Sequence, residues 1–315
     1  MKKIFILSKH NLDLAREEVL ALTKSKEFEI YDNILISEDN SKLKLENRLG
    51  YTHKIYEFLF KCEEKDFLAK IKNYDWQSLY KKDFCVRIHN TKQFSERDIA
   101  SIIWNQIKKP KVNLDKPETK IEFFFNNKVI AGLFLNNIDK SFLKRKAHLR
   151  PNLHPTSLHP GLARACINLT GLESGTILDP FCGSAGILIE AGLMKFKIIG
   201  YDIDNKQLER AKINLQHYKI KNYKLYNKDA RFINEKIDTI VTDLPYGKGS
   251  RVYKKNKLYI EFLKNASKIT NNMVVIFPDF VNYKKMILKT KWKIKNIFSE
   301  YIHKSLTRKI VLLFC

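Results

Sequence analysis

No Cys-x-x-Cys pair occurs in this chain, and its five cysteines (Cys62, Cys85, Cys166, Cys182, Cys315) are odd in number. Both facts argue against a disulfide framework and a thiolate zinc site, leaving incidental thiols of a reducing compartment. Histidine supplies no substitute. His148, His154 and His159 include no i, i+4 pair for a helical metal site, so they read as linker or phosphate contacts and no metal is expected. Long apolar runs are missing as well. Ile121-Glu-Phe-Phe-Phe and Ile310-Val-Leu-Leu-Phe-Cys315 are strand-sized, far below the ~20 residues that span a bilayer. The start, Met1-Lys-Lys-Ile-Phe-Ile-Leu-Ser, is too short in apolar residues for a signal peptide and turns polar from Asn11. It reads as the first strand of a cytoplasmic protein. Internal repeats are absent.

Acidic residues are scarce: 34 against 58 basic ones, a net charge of +24. Such a surplus suggests a polyanionic partner. Its distribution says more than its size. Residues 1–50 carry 9 basic and 9 acidic side chains, 101–150 carry 11 and 4, and 251–315 carry 15 and 3. Two concentrated regions are what two surfaces sharing one phosphate backbone require. Solvated lysine faces are the plainer reading, since lysine outnumbers arginine 47 to 11.

With an apolar fraction of 44% over 315 residues, the chain can bury more than one core. Its second half alternates strand and helix: Thr176-Ile-Leu-Asp, a helix from Gly186, Lys197-Ile-Ile-Gly-Tyr-Asp202, a helix over 205–218, then strands at 223–226 and 238–243. A helix over 258–269, a strand at 273–277 and two β-rich stretches at 293–302 and 308–314 complete it. Seven strands in this alternation predict an α/β, doubly wound, mostly parallel sheet, closed by an antiparallel edge hairpin. The first half reads as two α+β segments. Strand, helix and strand fall at 3–7, 12–22 and 28–36, followed by Phe84-Cys-Val-Arg-Ile-His, a helix over 95–108 and strands near 121–125 and 129–135. Ser95-Glu-Arg-Asp98 has the capping-box spacing. The basic, proline-punctuated stretch at 144–155 reads as a linker that touches RNA.

Four aspartates, Asp179, Asp202, Asp229 and Asp243, stand at or just past the carboxyl ends of successive predicted strands, where an open α/β sheet builds its ligand crevice. After the first comes Asp179-Pro-Phe-Cys-Gly-Ser-Ala-Gly186. Gly183 and Gly186 let backbone approach a ligand, and the helix that follows offers unpaired N–H groups. The G-x-x-G spacing fails the dinucleotide fingerprint and lacks the Gly-Lys-Ser/Thr ending of a P-loop, which disfavours NAD and ATP. Asp202, 23 residues on from Asp179, is placed for a ribose diol, and Asp229 for an adenine amino group. A nucleoside without a pyrophosphate suits the set.

Thr242-Asp-Leu-Pro-Tyr-Gly247 suits a different task. The amino nitrogen of a nucleobase is a poor nucleophile because its lone pair is delocalised. A carboxylate and a carbonyl accepting its two N–H bonds would aim that lone pair at an electrophile. Asp243 is the candidate acceptor and proton sink, Leu244 the candidate carbonyl, and Tyr246 a stacking surface for a flipped base, with Pro245 shaping the turn. A strand-ending turn built by Pro245 and Gly247 is the structural alternative.

These motifs resemble the archaeal and eukaryotic tRNA guanosine-10 N2-methyltransferases. The likeness rests on Asp179-Pro-Phe-Cys-Gly-Ser-Ala-Gly-Ile-Leu-Ile-Glu-Ala191, Asp243-Leu-Pro-Tyr-Gly247, Lys144-Arg-Lys-Ala-His-Leu-Arg-Pro, Leu158-His-Pro-Gly-Leu-Ala-Arg164 and Tyr301-Ile-His-Lys-Ser-Leu-Thr-Arg308. It implies a class I, Rossmann-like methyltransferase domain at 154–315 that uses S-adenosylmethionine. A basic linker at 141–153, a THUMP RNA-binding domain at 61–140 and a ferredoxin-like segment at 1–60 precede it. The implied cofactor contacts are Asp179, Phe181, Gly183, Gly186, Asp202, Asp229 and Asp243. The implied catalytic residues are Asp243, Leu244, Pro245 and Tyr246, and the implied partner is tRNA, met as a monomer. The family usually has Asp-Pro-Pro-Tyr, so Leu244 is a departure that preserves only the backbone carbonyl. Rival readings are a guanine-N2 or adenine-amino methylase of another RNA site, and a tRNA-binding protein with weak catalysis.

Overall fold

The computed structural model describes residues 1–152, 157–246 and 251–315. His154, the boundary drawn at 153/154 and Gly247 lie outside the described residues. The chain divides into two compact units, one of residues 1–9, 25–41 and 52–138, the other of residues 10–24, 42–51 and 139–315.

The first unit is a single sheet of seven strands: β1 (Lys2–Leu7), β2 (Phe28–Tyr31), β3 (Ile34–Glu38), β4 (Thr52–Cys62), β5 (Phe84–His89), β6 (Thr119–Asn126) and β7 (Lys128–Asn137). Their order is β2-β3-β1-β4-β7-β6-β5. β5 and β6 pair in parallel; every other neighbouring pair is antiparallel. Strands from both expected α+β segments therefore share one sheet, joined where β4 pairs β7. The stretch 28–36, which reads as one strand, is a hairpin, because Asp32 adopts φ +52° and reverses the chain. Aspartate tolerates this left-handed turn without the glycine that would have announced it. The helix expected over 95–108 runs Glu96–Trp104, and the Ser95 side chain accepts the Asp98 N–H as its capping spacing implies. One face of the sheet is packed by Phe67, Ile71, Trp76, Ile99 and Ile103, all at or below 1% exposure.

The second unit holds β8 (Thr176–Asp179), β9 (Lys197–Asp202), β10 (Tyr223–Asn227), β11 (Thr239–Asp243), β12 (Asn272–Pro278), β13 (Lys293–His303) and β14 (Leu306–Phe314). The order is β10-β9-β8-β11-β12-β14-β13. β8 to β12 are parallel; β14 runs antiparallel between β12 and β13. This is the doubly wound sheet with an edge hairpin that the alternation predicts. Strands buried on both faces explain its apolar composition: Ile177, Leu178, Ile240, Val241, Met273, Val274, Val275 and Ile276 are all fully buried. Helices Gly186–Leu193, Asn205–His217 and Arg251–Ile269 make the crossovers.

The N-terminal helix Leu12–Thr23 also belongs to this unit and packs on helix Pro160–Leu169. Buried Glu18 fixes that contact, accepting the Gly50 and Tyr51 N–H groups at 2.7 and 2.9 Å and the Asn168 amide at 2.8 Å. Strand order steps outward through β8, β9 and β10, then resumes on the other side of β8 at β11. That reversal opens a crevice at the carboxyl ends of β8 and β11.

Candidate active site

A cavity of about 620 Å³ fills this crevice, within the usual range of roughly 300–1,000 Å³ for small-molecule sites. All ten residues singled out in the sequence line it: Asp179, Phe181, Gly183, Gly186, Asp202, Asp229, Asp243, Leu244, Pro245 and Tyr246. Each follows from strand geometry. In parallel register Asp179 pairs with Gly200 and Leu178 with Ile240, so Asp202 and Asp243 stand two residues beyond Asp179 on either side of it, and the three carboxylates gather at the carboxyl rim of the sheet.

The loop after β8 is shaped by backbone. Gly183 adopts φ +49°, and a Cβ there would meet nothing within 4 Å, so its surface is bare peptide facing open space. Its N–H donates to the Asp202 carboxylate at 2.9 Å, and the Asp204 N–H donates to the other oxygen at 2.9 Å. Two amides thus fix the orientation of Asp202. Asp179 is 2% exposed and accepts the Thr242 hydroxyl at 2.7 Å and the Phe181 N–H at 3.2 Å. Burial pushes it up to about 7, and the charges of Asp243 and Asp202 push the same way. Phe181 meets Phe262 edge to face at 5.2 Å. Asp229 is held below the usual carboxylate range by Arg231, whose guanidinium lies 2.7 Å away and reaches on to Glu261 at 3.2 Å.

At the end of β11 the half-buried Asp243 accepts the Tyr246 hydroxyl and pairs with Arg308 at 3.2 Å. The Arg308 Nε donates to the Tyr246 hydroxyl at 2.7 Å, and its guanidinium lies 5.7 Å from the Tyr246 ring centroid. Burial raises Asp243 to about 6 despite the Arg308 charge and the Tyr246 hydrogen bond, which oppose it. Leu244 is 1% exposed, its side chain set in the core beneath the sheet. Its N–H donates to the Ile276 carbonyl at 3.1 Å, and the Pro245 carbonyl accepts the Tyr259 hydroxyl at 2.5 Å.

Arg308 was missed as a site residue although it ends the quoted stretch 301–308. The signal was its arginine in a β-rich run; its meeting with Asp243 depends on β14 lying two strands from β11, which no local pattern reveals. The basic stretch read as an RNA-touching linker is also different. Ser141–Arg145 and Ala147–Leu149 are short 3₁₀ turns. Arg145 makes two bonds to fully buried Glu190 at 2.7 and 2.8 Å, joined by Arg164 at 3.2 Å. Arg150 is 5% exposed, both terminal nitrogens lack a hydrogen-bond partner among the described residues, and one lies 3.1 Å from where a Cβ on Gly186 would stand. His159, read as a linker or phosphate contact, caps helix Pro160–Leu169 by accepting the Gly161 N–H at 3.2 Å. Among the described residues no cluster could hold a metal ion, and no helix is long and apolar enough to cross a membrane.

Sheet order and cavity define a Rossmann-like methyltransferase domain. The family described as RMKL-like, methyltransferase domain, matches residues 147–310. A second family, DNA methylase, matches residues 4–213, a span that stops short of Asp243. The crystal structure of TrmN from Thermus thermophilus shares the fold, with a TM-score of 0.52 at 18% identity over 100% of this chain and 99% of that one. Full-length relatives narrow the class. The tRNA (guanine(10)-N2)-dimethyltransferase of Methanothermobacter thermautotrophicus is 34% identical over 332 residues, covering 98% of each chain. That of Pyrococcus abyssi is 32% identical, covering 94% of each. This chain belongs to the tRNA (guanine(10)-N2)-dimethyltransferase family.

Proposed function

We propose that the chain methylates the exocyclic N2 amino group of guanosine in tRNA, at position 10 as in its relatives' name, with S-adenosylmethionine as methyl donor. The observation that carries this reading is the cavity itself, which holds an oriented ribose acceptor at one end and a carboxylate beside a backbone carbonyl at the other. The donor's fit rests on three features. Asp202 is fixed by the Gly183 and Asp204 amides with its remaining acceptor capacity toward a diol. Bare backbone at Gly183 leaves room for close approach. The Arg150 guanidinium, held by its Nε on the Arg145 carbonyl at 2.8 Å with its two terminal nitrogens open beside Gly186, is a cation suited to the donor's amino-acid carboxylate. Asp229 would share its carboxylate between Arg231 and an adenine amino group. When bound, the donor supplies an electrophilic methyl group.

The protein's own residues do the rest. Asp243 and the Leu244 carbonyl accept the two N–H bonds of the guanine amino group, turning its lone pair out of conjugation and along the line of attack. The Tyr246 hydroxyl now on Asp243 gives way to the incoming amino group, and Arg308 keeps that carboxylate charged and oriented. After transfer, Asp243 takes the proton. Position 10 lies within folded tRNA, so its base is extruded at a cost of a few kcal/mol, with Tyr246 as stacking surface. Phosphate contacts from lysines of 101–150 and 251–315 offset that cost, those of 101–138 in a THUMP-bearing first unit and the rest in the catalytic unit. This reading also places the protein in the cytoplasm, with its tRNA substrate.

Mass spectrometry of nucleosides from tRNA incubated with protein and donor tests the proposal. The expected product is N2-methylated guanosine, lost when position 10 is changed to adenine. Labelling that persists on the adenine variant points to another nucleotide and overturns the assignment.

A further inference from the structure

Strand β12 is interior, flanked by β11 and β14, yet its last residue is Pro278. Proline in a sheet is ordinarily confined to edges, first positions and bulges, because it cannot donate to a ladder. The register identifies the bond that is missing. β11 and β12 pair Ile240 with Met273, Val241 with Val274, Thr242 with Val275 and Asp243 with Ile276. The Leu244 N–H then donates to the Ile276 carbonyl at 3.1 Å. In a parallel ladder the next bond runs from the N–H of residue 278 to the carbonyl of residue 244, and residue 278 has no N–H. The orientation agrees, since the Asp279 N–H donates to Thr307 on β14 at 2.9 Å, leaving the nitrogen of residue 278 on the β11 side. Among the described residues no donor meets the Leu244 carbonyl. A peptide carbonyl at a residue 1% exposed ordinarily has one.

We propose that Pro278 is a positioning residue: by withholding a ladder N–H it keeps the Leu244 carbonyl open for the amino group of the target base. The inference rests on the reading that this carbonyl accepts an amino proton. The carbonyl matters, and its freedom is set from the adjacent strand of the ladder.

Residue 278 can be replaced by alanine or by lactic acid through nonsense suppression. The two have the same side chain, and the lactic ester, like proline, has no N–H. Lactic acid at 278 should keep kcat within about threefold of the native chain. Pro278→Ala should lower kcat about tenfold, the effect of one engaged hydrogen-bond acceptor, with KM for tRNA and donor affinity unchanged. Equal rates for the two variants overturn the proposal. Should neither variant fold, isotope-edited infrared spectroscopy of a carbonyl-labelled Leu244 in the native chain decides. Its band should lie at the frequency of an unbonded amide and move lower when tRNA is added; a bonded frequency in the free protein overturns the proposal. The nucleoside product of the native chain tests the underlying reading separately, and the alanine–ester comparison holds for whichever amino group the native chain methylates.

Discussion

Each unit buries a carboxylate in its sheet, and the two are treated in opposite ways. Glu122, 0% exposed on β6, is met by the Tyr56 hydroxyl at 2.9 Å, His89 at 2.7 Å, Lys120 at 2.6 Å and Lys54 at 3.8 Å. Burial alone would raise it, but His89 and Lys120 outweigh burial and hold it at about 2. Among the described residues Asp179, 2% exposed, is met by a hydroxyl and one amide and rises to about 7; Asp243, met by the Tyr246 hydroxyl and one cation, Arg308, rises to about 6. A buried carboxylate ringed by cations from neighbouring strands is held ionised, and it contributes to the fold. One left short of donors at a strand end is ready for a ligand, and its raised value records what the ligand must supply.

The sharpest way to break this contrast is at Asp243. Asp243→Ala should lower single-turnover methyl transfer by about a thousandfold or more, since acceptor and proton sink are lost together. Equilibrium binding of tRNA and donor should stay within a few-fold. Near-native turnover would remove Asp243 from the chemistry. Next comes Asp202→Ala, which should weaken donor binding by roughly 10–100-fold in calorimetry, the worth of a charge-assisted bond to two hydroxyls of about 1.5–3 kcal/mol.

Acid titration separates the two classes. Asp243 must be ionised to accept a proton, so kcat should fall about tenfold per unit below pH 6 and level above it. Glu122 titrates in a lower window and is read in stability, not rate. Its folded value is depressed from 4.5 to about 2, so the stability it lends is present above about 4.5 and drains as pH falls toward 2. Denaturation of Glu122→Gln at neutral pH should reveal a loss of about 2 kcal/mol. Donor affinity in the second unit should be unchanged. A pH–rate profile flat from 5 to 8 would dissolve the distinction. The smallest effect expected is Arg150→Ala, an approximately tenfold loss of donor affinity with tRNA affinity unaltered.

How far the sequence carries these conclusions depends on the range of the interactions. The doubly wound sheet was legible because strand and helix periods alternate and Asp179, Asp202 and Asp243 punctuate strand ends. The cavity was legible for the same reason. Contacts set between strands were not: Arg308 reaches Tyr246 from β14, two strands from β11, and Pro278 faces Leu244 from the adjacent β12, with nothing local to announce either. The hairpin at Asp32 hid because a left-handed aspartate looks like any polar residue. Helix Pro160–Leu169 is buried along its whole length, so its polar residues Arg164 and Asn168 mark a buried face and not a solvent one, and Leu12–Thr23 joins it through Glu18, a charge that reads as surface.

The amino group itself offers the most direct test. Inosine differs from guanosine by the absence of that one group, so tRNA carrying inosine at position 10 keeps every other contact. The Asp243–Leu244 acceptor pair predicts that this tRNA binds within a few-fold of the native one and accepts no methyl group in a single-turnover assay. Methyl transfer to the inosine tRNA at an undiminished rate would contradict it.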